Sequence, residues 1–230
     1  MNNIFGRLNP VFEWITKLAG TNLLWILFNL PVVYLTLSLF VAKDVSQMVM
    51  LIITIAVLAP FFFFPATTAM FGVVRKWVMK DEVPLIRSFW KYYKENYKRS
   101  LAGGVIISVL WVIVGVDYYY FQTRIHLVSY LFLFLMVWLF VITLYFFANT
   151  VHTETKLVQG LKNVFILSIA NPIFSFGVAI ISMVILYISI IKITFLLPFF
   201  TGAVIAFLAS FAYNKVFTNI IQFQKKDSEK

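Results

Sequence analysis

Only two histidines occur in the chain, His126 and His152, and there is no cysteine. Disulfides, thiolate nucleophiles and cysteine metal sites are excluded by that composition. The two histidines fall on opposite predicted sides of a bilayer, so they cannot share a metal. His152 and the nearby Glu154 read more simply as a solvated loop pair than as an acid–base couple. No HExxH pair, phosphate-binding glycine loop or Ser, His and Asp constellation is visible. Every Asp, Glu, Lys, Arg and His lies at or near the end of a long uncharged run, which disfavours a proton or ion relay through the membrane. The expectation is a chain with no catalytic residues, no metal site and no cofactor.

The polar groups left inside the apolar runs are amides and hydroxyls. Asn22 and Asn29 are seven residues apart and share a helical face, with Trp25 and Pro31 close by. An amide is costly against lipid, so each is expected to meet another helix, and a polar ligand site is the alternative. Asn171, followed by Pro172, poses the same question with the same answer. In FFFFPATTAMFGVVRKW, Pro60 and Pro65 bracket four phenylalanines and must bend or interrupt a helix. Thr67 and Thr68, among small residues, then allow close helix packing; a broken helix lining a substrate path is the rival reading.

The stretch RKWVMKDEVPLIRSFWKYYKENYKR begins with Arg75, Lys76 and Trp77. Past Pro84 it carries one stripe of Leu85, Ile86, Phe89, Trp90, Tyr93 and Tyr97, and another of Arg87, Lys91, Lys94 and Lys98. That pattern predicts an amphipathic helix lying in the interface and held by anionic lipid, with a docking surface for a partner protein as the second reading. Nucleic acid is not expected, because a basic face beside a membrane has a simpler partner.

The elements that must position these groups follow from composition. Of the 230 residues 62% are hydrophobic, 19% aromatic and 12% charged, against about half apolar and a quarter charged in a soluble domain. The solvent of this chain is therefore lipid. About 20 apolar residues cross a bilayer as a helix. The uncharged runs predict helices at 18–42, 45–74 interrupted at Pro60 and Pro65, 100–121, 127–151, 163–191 and 193–214, with Lys192 at a hairpin and 75–99 as the amphipathic loop. The expected fold is an all-α integral membrane protein, a six-transmembrane-helix bundle with interfacial amphipathic helices, forming a single domain over 1–230. Sixteen Lys and Arg fall on the side of both termini and three on the other. This bias predicts both termini in the cytoplasm and accounts for much of the +10 net charge. No cleaved signal peptide is evident, so the N-terminus is expected to be retained. Its Ile4, Phe5, Leu8, Phe12 and Ile15 suggest an in-plane entry segment, with the helix proper starting at Pro10. QKKDSEK forms a short polar tail.

The fourth loop, TETKLVQGLKN, resembles a degraded form of the EAA loop with which ABC importer permeases seat a coupling helix in their ATPase. Glu154 and Gly160 occupy the matching positions, Thr155 and Lys156 replace the alanines, and Pro172 is one residue out of register. A plain amphipathic connector is sufficient for the segment and is the favoured reading. On NLLWILFNLP, FPATTAMFGVVRKW, VPLIRSFWKYYKENYKRSLAGG and ANP, the chain resembles, over nearly its whole length, the YesL-like family of bacterial membrane proteins of unknown function. The resemblance implies a plasma-membrane protein, typically of Gram-positive bacteria, often encoded beside carbohydrate uptake and polysaccharide-degradation systems. It brings no catalytic residues. It implies a non-enzymatic accessory subunit of a carbohydrate ABC importer, touching the importer's membrane subunits or ATPase; an independent transporter or channel is the alternative, and a lipid- or glycan-acting enzyme the least supported.

Overall fold

The computed structural model describes residues 2–228, with side chains described for 12–220. The Ile4, Phe5 and Leu8 part of the entry stripe lies outside the described side chains. Among the described residues there are nine α-helices and no strand: α1 Asn2–Phe28, α2 Leu30–Leu39, α3 Val45–Leu58, α4 Phe63–Val78, α5 Leu85–Gln122, α6 His126–His152, α7 Leu157–Ala170, α8 Pro172–Tyr187 and α9 Gly202–Ser228. Two five-residue π-helical turns, Ile188–Lys192 and Leu197–Thr201, flank the bend between α8 and α9. Four helices are long and apolar enough to cross a membrane, or six if each of two bent pairs forms one span. The chain is thus an all-α membrane bundle.

The first expected helix, 18–42, is broken. It bends by 86° between α1 and α2, because Pro31 lacks the N–H that would continue the ladder and the Asn29 N–H folds back on the Trp25 and Ile26 carbonyls at 3.0 and 3.1 Å. The separate entry segment starting its helix at Pro10 is also corrected, since α1 runs through Pro10. In the second run the break falls at Pro60 alone, with a bend of 55° between α3 and α4. Pro65 lies in the first turn of α4, where a missing N–H leaves no helical bond unmade.

α5 corrects the reading of the stretch past Pro84, within the 75–99 loop, as a separate helix lying in the interface. The amphipathic stretch from Leu85 and the third span form one continuous helix of 38 residues, about 57 Å long against a hydrocarbon layer of about 30 Å. Its first half therefore shares the direction of its second. The fifth expected helix starts earlier, at Leu157, and breaks at Asn171–Pro172. Past the end of α4, Lys80 takes a left-handed φ of 62°, which lets Asp81 N–H reach Lys76 C=O at 2.9 Å and close the helix.

α4 is the centre of the bundle, buried from Phe64 to Val74. Glycines set how closely its neighbours approach. A Cβ on Gly72 would meet the Tyr92 ring at 2.5 Å, one on Gly104 would meet Phe64 at 2.7 Å, and one on Gly103 would overlap the Phe146 ring. Phe64, Phe71, Phe146 and Phe147 interlock in the space so formed. The first half of α6 is exposed or half-buried at all but Ser129 and Leu139, and its second half, from Val141 to Thr150, is almost wholly buried. Lipid-facing apolar surface thus lies on the first half of α6, on α5 past Val105 and on α8.

Candidate functional site

Arg99 closes the basic stretch and reaches across to the loop after α6. Its guanidinium donates to Thr150 C=O at 3.4 Å, to Thr153 C=O, and to Thr155 Oγ1 at 3.3 Å. Arg75, in the last turn of α4, donates to Val151 C=O at 2.5 Å. These are the carbonyls that the end of α6 leaves without helical partners, and two cations suit the negative end of its dipole. The second and fourth loops are thereby tied together. Beneath them, buried Asn149 accepts the Tyr213 hydroxyl at 2.8 Å and the Thr153 hydroxyl at 3.3 Å. Arg75 Nε, Arg99 Nε, Asn149 Nδ2 and His152 Nδ1 are buried without a partner among the described residues.

This arrangement corrects three sequence readings. Gly160, expected at an interface with a partner, is buried, because a Cβ there would stand 3.0 Å from both Arg99 Nη2 and Asn149 Nδ2. It is a packing residue in the first turn of α7, so the fourth loop exposes Glu154 but not Gly160. Trp77 is 6% exposed and packs edge-on to Trp14 at 6.1 Å, inside the bundle. His152 packs edge-on against Tyr213 and Phe217 and is half-buried, while Glu154 is exposed, so they are no solvated pair.

The remaining ridge is open. Arg87, Trp90, Lys91, Lys94 and Lys98 are exposed along the first half of α5. Trp90 stacks on Tyr93 with its centroid 5.9 Å away, and the Lys94 ammonium lies 4.8 Å over the Trp90 ring. Lys91 is 3.9 Å from Glu95, and Lys76 pairs with Asp81 at 3.0 Å.

Of Asn22, Asn29, Thr67, Thr68 and Asn171, the polar residues marked from the sequence, three bond between helices. Asn22 Nδ2 donates to Leu197 and Pro198 C=O at 2.9 and 2.8 Å, and its Oδ1 accepts Ala203 N–H at 3.1 Å. Trp25 donates to Thr67 at 2.9 Å, and Ser100 donates to Thr68 at 2.8 Å. Asn29 is buried at the α1–α2 break with its Oδ1 unpartnered. Asn171 caps neither α7 nor α8 with its side chain, so its place is a helix break and not glue between helices. Sequence reasoning missed Asn149, Tyr213 and the capping role of the two arginines. The one signal was Asn149 and Thr150 ending a long apolar run, but their partners are about fifty to seventy-five residues away.

Fold and site together define a multi-helix membrane protein whose inner polar groups join helices and whose basic, aromatic ridge faces outward. Residues 18–118 match the family described as protein of unknown function, DUF624. The chain is similar to the uncharacterized protein YesL of Bacillus subtilis, 25% identical over 99% of its own length and 97% of YesL. It is also 33% identical to the uncharacterized protein YteU of the same organism over 49% of this chain, spanning only 40% of YteU, and 34% identical to the uncharacterized protein YesV over 29% of this chain and 32% of YesV. No solved structure gives a significant match.

Proposed function

We propose that this chain is a non-enzymatic accessory membrane subunit associated with a bacterial carbohydrate ABC importer. One observation carries the contact surface: Arg99 fastens the ridge bearing Trp90, Lys94 and Lys98 to the loop bearing exposed Glu154. The ridge then offers an aromatic anchor and cations, and the loop held at its end by Arg99 offers a carboxylate, groups that suit a protein partner. The partner class comes from the YesL-like resemblance and its usual gene neighbours, an argument by association. On this reading the protein sits in the plasma membrane with both termini in the cytoplasm, as the Lys and Arg bias supports, and the patch faces the importer's ATPase or membrane subunits. Replacing Trp90 with Ala, and separately Glu154 with Lys, should weaken co-purification of an importer subunit while leaving the amount of this protein in the membrane unchanged. Full retention of the importer by both variants refutes the assignment of this patch.

The second reading is an independent small-solute transporter or channel. The bends of 86° and 55° within the first four helices favour it, because broken helices are how transporters place polar groups at mid-membrane. Solute flux in vesicles holding this protein alone would select it.

A further inference from the structure

At the α1–α2 break, Phe28 turns toward α5, where its ring lies 5.1 Å from Phe89, 5.5 Å from Trp90 and 4.9 Å from Tyr93. Beside it opens a groove of about 670 Å³ lined by Phe28, Pro84, Leu85, Ile86, Arg87 and Trp90. Five of these six are apolar or aromatic, and the sixth is an exposed arginine with no ion pair among the described residues. We propose that this groove is a discrete site for one anionic phospholipid, its acyl chain against Phe28, Leu85, Ile86 and Trp90 and its phosphate on Arg87. This goes beyond the accessory-subunit reading and does not depend on it.

The occupant follows from shape, setting and charge. The volume is in the range of small-molecule sites, and the lining is too apolar for a free sugar or inorganic ion to fill. Leu27, Leu30 and Ile86 are exposed beside it, so apolar surface suited to an acyl chain adjoins the groove. Lys91 and Lys94 stand one turn and two turns beyond Arg87 on the same exposed side. A headgroup of net negative charge gains there, and the choline of a zwitterionic lipid is repelled. Trp90, with Lys94 over its ring, has the aromatic and cationic character of the headgroup zone.

The test is native mass spectrometry of the full chain, released from mild detergent after incubation with equal amounts of phosphatidylglycerol and phosphatidylcholine of matched acyl chains. The expected result is a one-to-one phosphatidylglycerol adduct favoured by about tenfold. Arg87→Gln should weaken the phosphatidylglycerol adduct and narrow its preference over phosphatidylcholine, and Ile86→Trp, which fills the groove, should weaken both adducts. Both positions are exposed, so the fold should tolerate the changes. Arg124→Gln removes an exposed cation elsewhere and should leave the preference intact. Equal retention of both lipids by the unaltered protein overturns the proposal, as does Arg87→Gln behaving like Arg124→Gln. Displacement of the adduct by millimolar inorganic phosphate also overturns it, by showing an anion site without a lipid-specific groove.

Discussion

Asn22 on α1 holds the start of α9 through Ala203, whose N–H it accepts at 3.1 Å while its own amide donates to two carbonyls of the preceding π-helical turn. That turn contains Pro198, which has no N–H to give a helical ladder, so the side chain supplies the order the backbone cannot. Gly202 is adjacent because a Cβ there would meet Asn22 Oδ1 at 2.7 Å.

Removing that amide should cost more than removing its neighbour on the same helical face. Asn22→Ala strands two carbonyls and an N–H in a buried setting and should destabilise the protein by about 2 kcal/mol. Asn29→Ala removes an oxygen that has no partner and should cost less. Apparent melting temperatures in one detergent would check the order; an Asn29→Ala loss equal to that of Asn22→Ala contradicts it.

The glycines divide in the same manner. A Cβ on Gly103 overlaps the Phe146 ring, whereas Gly115 and Gly177 have nothing within 4 Å of that position. Gly103→Ala should therefore force α5 and α6 apart and lower stability by about 1–3 kcal/mol. Gly115→Ala and Gly177→Ala should be neutral or slightly stabilising, since alanine is the better helix former. Thermal unfolding of the three single variants would test this contrast.

What could be read from the sequence divides along physical lines. Uncharged runs reveal where lipid-facing helices lie, since the bilayer imposes a length and a polarity on every span. The runs do not reveal direction. The 86° turn at Asn29 and the merging of Leu85–Gln122 into one helix depend on what packs beside them, not on hydropathy. Thr67, Thr68 and Asn22 could be marked as polar groups needing partners, but Trp25, Ser100 and Ala203 could not be named without the fold. Trp77 and Gly160 misled because an aromatic or small residue beside a charged loop looks the same whether it faces inward or outward.

Arg99 gives a sharper test of how the two loops are joined. Its planar fork meets two carbonyls and a hydroxyl at once, and a lysine ammonium, as a single point charge, cannot span them. Both Arg99→Ala and Arg99→Lys should speed hydrogen exchange of the 153–160 backbone, while exchange in the buried half of α6 changes little. If Arg99→Lys protects that segment as well as arginine does, charge alone holds the loop and the fork geometry is irrelevant.

The two bent pairs decide whether the chain crosses the membrane four or six times, and one position separates the cases. If α1–α2 and α3–α4 are each a broken span, the 43–46 turn lies on the side opposite the loop holding Glu154. If both pairs are re-entrant, it returns to the same side. The chain has no cysteine, so a single introduced thiol reports its side without background. Ser46, Thr123 and Lys192 are exposed, as are Lys91, Glu154 and Lys215. With six crossings and the basic loops inside, Ser46→Cys, Thr123→Cys and Lys192→Cys should react with an impermeant thiol reagent on intact cells. Lys91→Cys, Glu154→Cys and Lys215→Cys should react only in inverted vesicles. Reaction of Ser46→Cys only in inverted vesicles, with Thr123→Cys still labelled from outside, would establish four crossings and make the first four helices a re-entrant unit. Pro31 and Pro60 would then turn the chain back within the bilayer instead of bending it on its way across.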